Sequence, residues 1–265
     1  MNVFAFHLKT VPDLDAGRKF WNLGDLGDEE VGAVMHSKRR QETDGASDSI
    51  RHHFQKIVSI SAVHRVGEKI QIWSLGAEKW GYAEGLEYGL LRELFSRIAL
   101  HSPELVSWNG TAFDLPVLRY RSLAHHLASE RYWNIEGQHL TVKDDFFLDN
   151  RTCRHMDLMN ALGGSDNIPH SPLSEVASLL GFPNTSDMTS REVFEAYISD
   201  NMGEIRNKTD ADVLKIWFIY LRFQHVNRHR EELNMEIERT RDCLASGKQP
   251  HFSELLTLWN TMALF

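Results

Sequence analysis

The chain has 265 residues, 42% of them hydrophobic and 25% charged, with a formal net charge of −8. That length supports one large domain with a sizeable core, and the absence of any run of about twenty apolar residues excludes a spanning helix, while the short apolar start lacks the basic flank of a signal peptide. The acidic balance argues against broad affinity for a polyanion without excluding a local basic groove, and the two cysteines, Cys153 and Cys243, lack metal-ligand spacing and point to a reducing cytoplasm.

In chain order, residues 3–8 read as a strand too consistently apolar to have one face in water. It runs into His7 and Lys9, which are two apart and therefore share a face. A polar segment from Gly24 to Ser49 carries Asp28-Glu29-Glu30 and Lys38-Arg39-Arg40. It reads as a helix near 28–41 followed by a loop of turn-forming residues, Glu42 to Ser49. Lys56–His64 and Lys69–Leu75, separated by Arg65-Val66-Gly67-Glu68, make a hairpin pattern. Leu86–Leu100 has helical spacing, Leu105–Trp108 is a short strand, and Asn109-Gly110 is a turn.

Residues 114–128 read as a helix with Pro116 near its first turn. The stretch from Ala128 to Arg154 is irregular, and His155–Leu162 fits either a strand end or a helix start. Helices then follow near 173–181, 190–199, 209–228, 229–246 and 252–263, Thr189 and Glu192 forming a capping box for the second. Early strands with a hairpin and a helical C-terminal third predict an α/β fold, a mixed sheet flanked by helices. With no repeat, low-complexity tract or linker, residues 1–265 read as a single domain.

Three segments offer chemistry, each beside a plainer explanation. His7 and Lys9 lie at the carboxyl end of a buried strand, where open α/β sheets place their sites, or where the strand simply emerges into solvent. Within Leu105–Tyr120, the connection Asn109-Gly110-Thr111-Ala112-Phe113-Asp114 sets an amide, an aromatic ring and a carboxylate close together. Such a set can hold a sugar, stack a base and bind a cation; alternatively Asp114 is an N-cap, Asn109 a turn residue and Trp108 a core residue. In the third segment, Lys208 and Asp212 share a helix face with Asp210 turned away, a spacing that an ordinary ion pair also explains.

Together these segments resemble the predicted 3′–5′ exonuclease family related to the proofreading exonuclease domain of B-family DNA polymerases, a branch of the ribonuclease H-like superfamily. The resemblance runs through Phe6–Asp13 (FxxxTVPD), Ile72–Gly76, Ser107–Arg121 (SWNGTAFDLPVLRYR), His155–Met159, Leu179–Pro183 and Asp212–Phe223. It implies a ribonuclease H-like sheet of five strands and a site where four carboxylates bind two Mg²⁺ or Mn²⁺ ions, with a tyrosine orienting the attacking water. Hard cations of this kind want oxygen ligands.

Carried over by position, His7 stands where relatives have Asp, Lys9 where they have Glu and Lys208 where they have Tyr, while Asp114 and Asp212 are retained. The resemblance also assigns Thr10, Trp108, Asn109 and Phe113 to nucleic-acid contact. Four carboxylates would give −4; here Asp114 and Asp212 are offset by Lys9 and Lys208, leaving the set near zero with His7 neutral. The expectation is an exonuclease-like protein with hydrolysis lost or weakened, Lys9 in the vacated cation position, and a single-stranded DNA or RNA 3′ end as partner. A second reading keeps one softer metal on His7, Asp114 and Asp212. A third is a scaffold with no nucleic-acid role, using Trp80 and Trp133 as surface residues.

Overall fold

The computed structural model describes residues 1–75, 86–129, 155–163, 171–182, 187–228, 233–247 and 249–260. Trp80, Trp133, Gly76, Pro183, Cys153 and nearly all of the irregular stretch 128–154 lie outside the described residues.

Strand β1 (Asn2–Pro12) is central because its apolar residues need cover on both faces. It pairs antiparallel with β2 (Gln55–Val66), which turns through Gly67 at φ +57 into antiparallel β3 (Lys69–Leu75). On its other side β1 runs parallel to β4 (Glu104–Ser107), and β4 parallel to β5 (His155–Asp157). The order β3-β2-β1-β4-β5 is a mixed five-stranded sheet of ribonuclease H-like type, as the sequence leads one to expect.

Alternation along β1 divides the interior. Phe4, Phe6 and Leu8 pack with Leu90, Leu91 and Leu94 of α3 (Leu86–His101) and with Leu115 and Leu118 of α4 (Asp114–Ala124). Val3 and Ala5 face the other way, toward Val213, Ile216 and Trp217 of α8 (Met202–Arg228). Helices α9 (Leu233–Ser246) and α10 (Pro250–Asn260) cover α8, the Trp217 indole donating to Thr240 Oγ1 at 3.0 Å. A third core joins Val11 to Val31 and Met35 of α2 (Asp28–Glu42) and to Val193 and Phe194 of α7 (Ser190–Ile198). The Thr189–Glu192 capping box is present. Among the described residues no helix is long and apolar enough to cross a membrane.

Several boundaries differ from the sequence expectation for local reasons. Residues Leu14–Trp21 form a helix, α1, that apolar spacing did not reveal; Asp13 caps it, its carboxylate accepting the Ala16 N–H at 3.0 Å. Helix α4 stops at Ala124 because the chain turns left-handed at His126, φ +51. Residues 155–163 are both things the sequence allowed, a three-residue strand running directly into α5 (Leu158–Gly163). Helix α8 begins at Met202, earlier than 209, because Met202, Ile205 and Thr209 are buried and extend its packed face. The short α6 (Leu173–Leu179) ends early at Leu179.

Buried ion pairs tie these layers together. Arg121 of α4 donates to both oxygens of Glu87 on α3 (2.8 and 2.5 Å) and to Asp13 (2.5 Å). Glu87 also accepts the Ile57 N–H of β2 at 2.6 Å. Burial acts to raise the Glu87 carboxyl, but His125, Arg121 and Ile57 together hold it below the usual carboxylate range. Removing one partner of such a set leaves an unmatched buried charge. Arg121→Met is therefore expected to destabilise the protein by roughly 3 to 5 kcal/mol in urea unfolding; a loss under about 1 kcal/mol would show that water already reaches the pair.

Candidate functional site

The site exists because β4 is short. Its ladder with β1 ends at Ala5, while β1 continues to Pro12, so the later part of β1 borders an opening instead of a strand. The Leu8 N–H that faces this opening donates to Asp114 Oδ1 at 3.2 Å. Asp114 thus reaches across to the strand; it is the first residue of α4, whose N-cap is Phe113 without a side-chain cap, so the N-cap explanation of Asp114 does not hold. A bulge in β1–β2 follows immediately, Lys9 facing Ser59 and Thr10 facing Ile57 with Val58 as the extra residue. Bulges commonly re-aim side chains in this way.

His7 and Lys9 continue the face of Val3 and Ala5 and therefore look at α8. Lys9 Nζ lies 2.8 Å from Asp212 Oδ2, and Lys215, one turn further along α8, donates to the other oxygen at 3.1 Å. Lys215 also reaches Asp187 Oδ1 at 2.7 Å. His7 sits between the retained acids, Nδ1 3.8 Å from Asp114 Oδ1 and Nε2 3.8 Å from Asp212 Oδ2. Asp114 and Asp212 are 1% and 2% exposed, so each charge must be matched or neutralised locally. His7, Lys9, Asp114 and Asp212 are thus brought together.

Electrostatics separate the two acids. Burial acts to raise the Asp212 carboxyl, but the Lys9 and Lys215 ammonium groups outweigh it and hold Asp212 below the usual carboxylate range. Among the described residues no ammonium group contacts Asp114, and burial, reinforced by Asp157 against the Leu8 N–H and a weaker pull from Lys9, raises it to about 7. Burial, with Lys9 adding in the same direction, lowers His7 to about 4 and keeps its imidazole neutral. The centre is an ionised Asp212 clamped by two lysines beside a half-protonated Asp114 and a neutral histidine.

These residues do not fit the pair of divalent ions that the family resemblance implies. Both Asp212 oxygens already carry an ammonium partner, and neither His7 nor Lys9 supplies a carboxylate. A divalent ion about 4 Å from the Lys9 ammonium would be repelled by about 8 kcal/mol at an effective dielectric near 20. Among the described residues no group of three or more His, Cys, Asp or Glu is arranged to hold a metal.

The remaining residues divide. Lys208 is half-buried on α8, on the side of Glu192, whose carboxyl the Thr189 N–H and hydroxyl, and more weakly Lys208, hold below the usual range. Asp210 is indeed turned from the centre; it accepts from Ser61 Oγ (2.5 Å) and meets His251 Nε2 (2.8 Å). Trp108 packs in the core at 8% exposure instead of reaching the cleft. Asn109 sits in the turn at φ +61, Thr10 is largely buried, and Phe113 is half-buried against His52 at 5.7 Å.

Sequence reasoning missed Lys215, Asp187 and Asp157. The signal for Lys215 was its i,i+3 spacing from Asp212 on one helix. Asp157, at the carboxyl end of β5, accepts the Asn109 and Thr111 N–H groups at 2.9 Å each and the Met159 N–H at 3.2 Å, fixing the turn that carries Phe113 and Asp114. Below that turn Ser107 Oγ contacts buried His155 Nε2 at 2.8 Å, and a Cβ on Gly110 would meet that hydroxyl at 2.0 Å, so only glycine fits.

Comparison with known proteins bears on the whole arrangement. The family described as a predicted 3′–5′ exonuclease related to the exonuclease domain of PolB matches residues 47–259. No curated protein matches the chain. Among solved structures, the family B DNA polymerase from the hyperthermophilic archaeon Pyrobaculum calidifontis is similar at 14% identity and TM-score 0.46; the match covers 83% of this chain and 25% of the polymerase.

The raised Asp114 carboxyl has a measurable consequence. Between its unfolded value near 3.8 and its folded value of about 7, the native state holds this proton more tightly, so the Asp114 contribution to stability falls as pH rises across that window. His7 runs the other way, its contribution rising from about pH 4 to 6.5. Asp114→Asn keeps an acceptor for Leu8, removes only the first effect and leaves His7 in place. The stability of the variant relative to the parent is expected to increase by roughly 2 to 3 kcal/mol between about pH 5 and 8 in denaturant titrations. A pH-independent difference would mean that Asp114 is ionised throughout.

Proposed function

Because the chain belongs to the family of predicted 3′–5′ exonucleases related to the exonuclease domain of PolB, we propose that it is an exonuclease-like protein that engages the 3′ end of single-stranded DNA or RNA without cutting it. The family implies a nucleic-acid substrate and divalent-metal hydrolysis. The observation that carries the loss of hydrolysis is the Lys9–Asp212 contact at 2.8 Å, with Lys215 on the other oxygen of the same carboxylate. Two-metal hydrolysis needs ions to activate water and to stabilise the leaving 3′ oxygen. Here fixed ammonium groups supply positive charge next to Asp212, but an ammonium neither ionises a bound water nor accepts an incoming oxygen ligand.

The other substitutions point the same way. His7 is held neutral beside Asp114, which is itself ionised only in part near neutral pH. Lys208 replaces the tyrosine that in relatives orients the attacking water. We read the protein as one domain over 1–265 that works in a reducing cytoplasm, where a free thiol such as Cys243 persists.

With Mg²⁺ or Mn²⁺, 3′-labelled single-stranded DNA and RNA are expected to remain at full length on denaturing gels. Robust trimming that disappears in Asp114→Ala would sink the proposal. The triple variant His7→Asp, Lys9→Glu, Lys208→Tyr restores the carboxylates and the tyrosine together, and 3′ trimming is expected to appear in it alone. A folded triple variant that stays inert in both metals would show that these positions do not complete a nuclease site.

A further inference from the structure

Three short segments of this acidic chain combine aromatic and basic residues with no acid among them: Arg18-Lys19-Phe20-Trp21, Arg51-His52-His53-Phe54-Gln55-Lys56 and Arg119-Tyr120-Arg121. They come from α1, the turn before β2 and α4, and the fold brings them into contact at the end of β1. Phe113, the residue before Asp114, meets His52 at 5.7 Å between ring centroids. The neighbouring His53 meets Tyr120 at 5.7 Å and Phe54 at 4.4 Å. Phe54 in turn meets Trp21 at 4.9 Å and Phe20 at 5.5 Å.

The rings therefore form a track, joined through the adjacent residues His52 and His53, that begins one residue from Asp114 and leads out over the surface. Its outer members are open to solvent, Phe20 at 70% and Tyr120 at 46% exposure. Exposed rings that join into one patch, unlike rings scattered singly, mark an interaction surface. Arg51, paired with Glu42 at 3.1 Å, still keeps 53% of its side chain exposed along the track. Burial, aided by neighbouring positive groups, lowers both His52 and His53, so near neutral pH they present uncharged rings.

We propose that this track is the path of a single-stranded nucleic acid leaving the centre, with bases stacked on Phe20, His53 and Tyr120 and phosphates beside Lys19 and Arg51. The proposal rests on the reading of the protein as a strand-binding relative of exonucleases and adds where the strand lies and how it is held. Aromatic faces interleaved with cations are what an unpaired strand recognises, since every base has a face to stack and every phosphate a charge to neutralise. A duplex keeps its bases inside and gains nothing from exposed rings. Phe20 and Trp21, two of the seven rings, lie outside the residues 47–259 that match the family.

The test is fluorescence anisotropy with end-labelled oligo(dT), oligo(rU) and an abasic oligomer of the same length, at about 20 mM salt where phosphate contacts are strong. The parent protein is expected to bind the oligomers with bases and to bind the abasic one far more weakly. The double variant Phe20→Ala, Tyr120→Ala changes two exposed rings and leaves the core intact. It is expected to lose about tenfold or more in affinity for the oligomers with bases, from the loss of stacking, and to bind the abasic one unchanged, while Tyr120→Phe retains parental binding. The tighter of oligo(dT) and oligo(rU) identifies the sugar. If the double variant binds oligo(dT) and oligo(rU) as tightly as the parent, the track is overturned and the proposed function stands. If the parent binds neither, both are overturned.

Discussion

A carboxylate buried in the middle of a protein has to be answered by positive charge, and the way Asp212 is answered organises this molecule. Relatives of its kind would answer such acids with metal ions drawn from solution. Here the answer is covalent to the chain: Lys9 arrives from β1 and Lys215 from α8 itself, each on its own oxygen. Breaking either contact leaves an unmatched buried charge, a far larger penalty than losing a surface ion pair. The long helix α8 is thereby fixed to the central strand at the point where the sheet opens. Asp114, lacking a cation, settles its own burial by holding a proton and by accepting the Leu8 N–H.

Much of the fold could be read from local pattern. Continuous apolar character marks β1 as buried on both faces, the hairpin signal gives β2 and β3, and period two places His7 and Lys9 on one face. The same rule explains what was harder to see. Lys215 shares the face of Asp212 as plainly as Lys208 does, but only packing decides which lysine turns inward; attention to the i,i−4 neighbour hid the i,i+3 one. Trp108 directly follows β4, and whether it faces cleft or core depends on the register of β4 against β1. The role of Asp114 depends on β4 being shorter than β1, a difference in length between two strands a hundred residues apart.

Residues in and around the segments that resemble the exonuclease family also serve the architecture. Asp13 caps α1 and accepts from Arg121. Glu87 completes the set by holding both Arg121 and the start of β2. Asp157 of the segment His155–Met159 holds the Asn109-Gly110 turn by its backbone. None of these needs a metal or a substrate.

The double clamp on Asp212 also bears on reversibility. Replacing Lys9 alone by an acid would set two carboxylates together with one lysine between them, and removing Lys215 alone would strand Asp187 and half of Asp212. Each single change at the clamp passes through a less stable protein, because losing either lysine or Asp212 itself leaves buried charge unmatched. The contact therefore locks the sequence locally: Lys9, Asp212 and Lys215 can be exchanged without leaving a buried charge unmatched only when they change together.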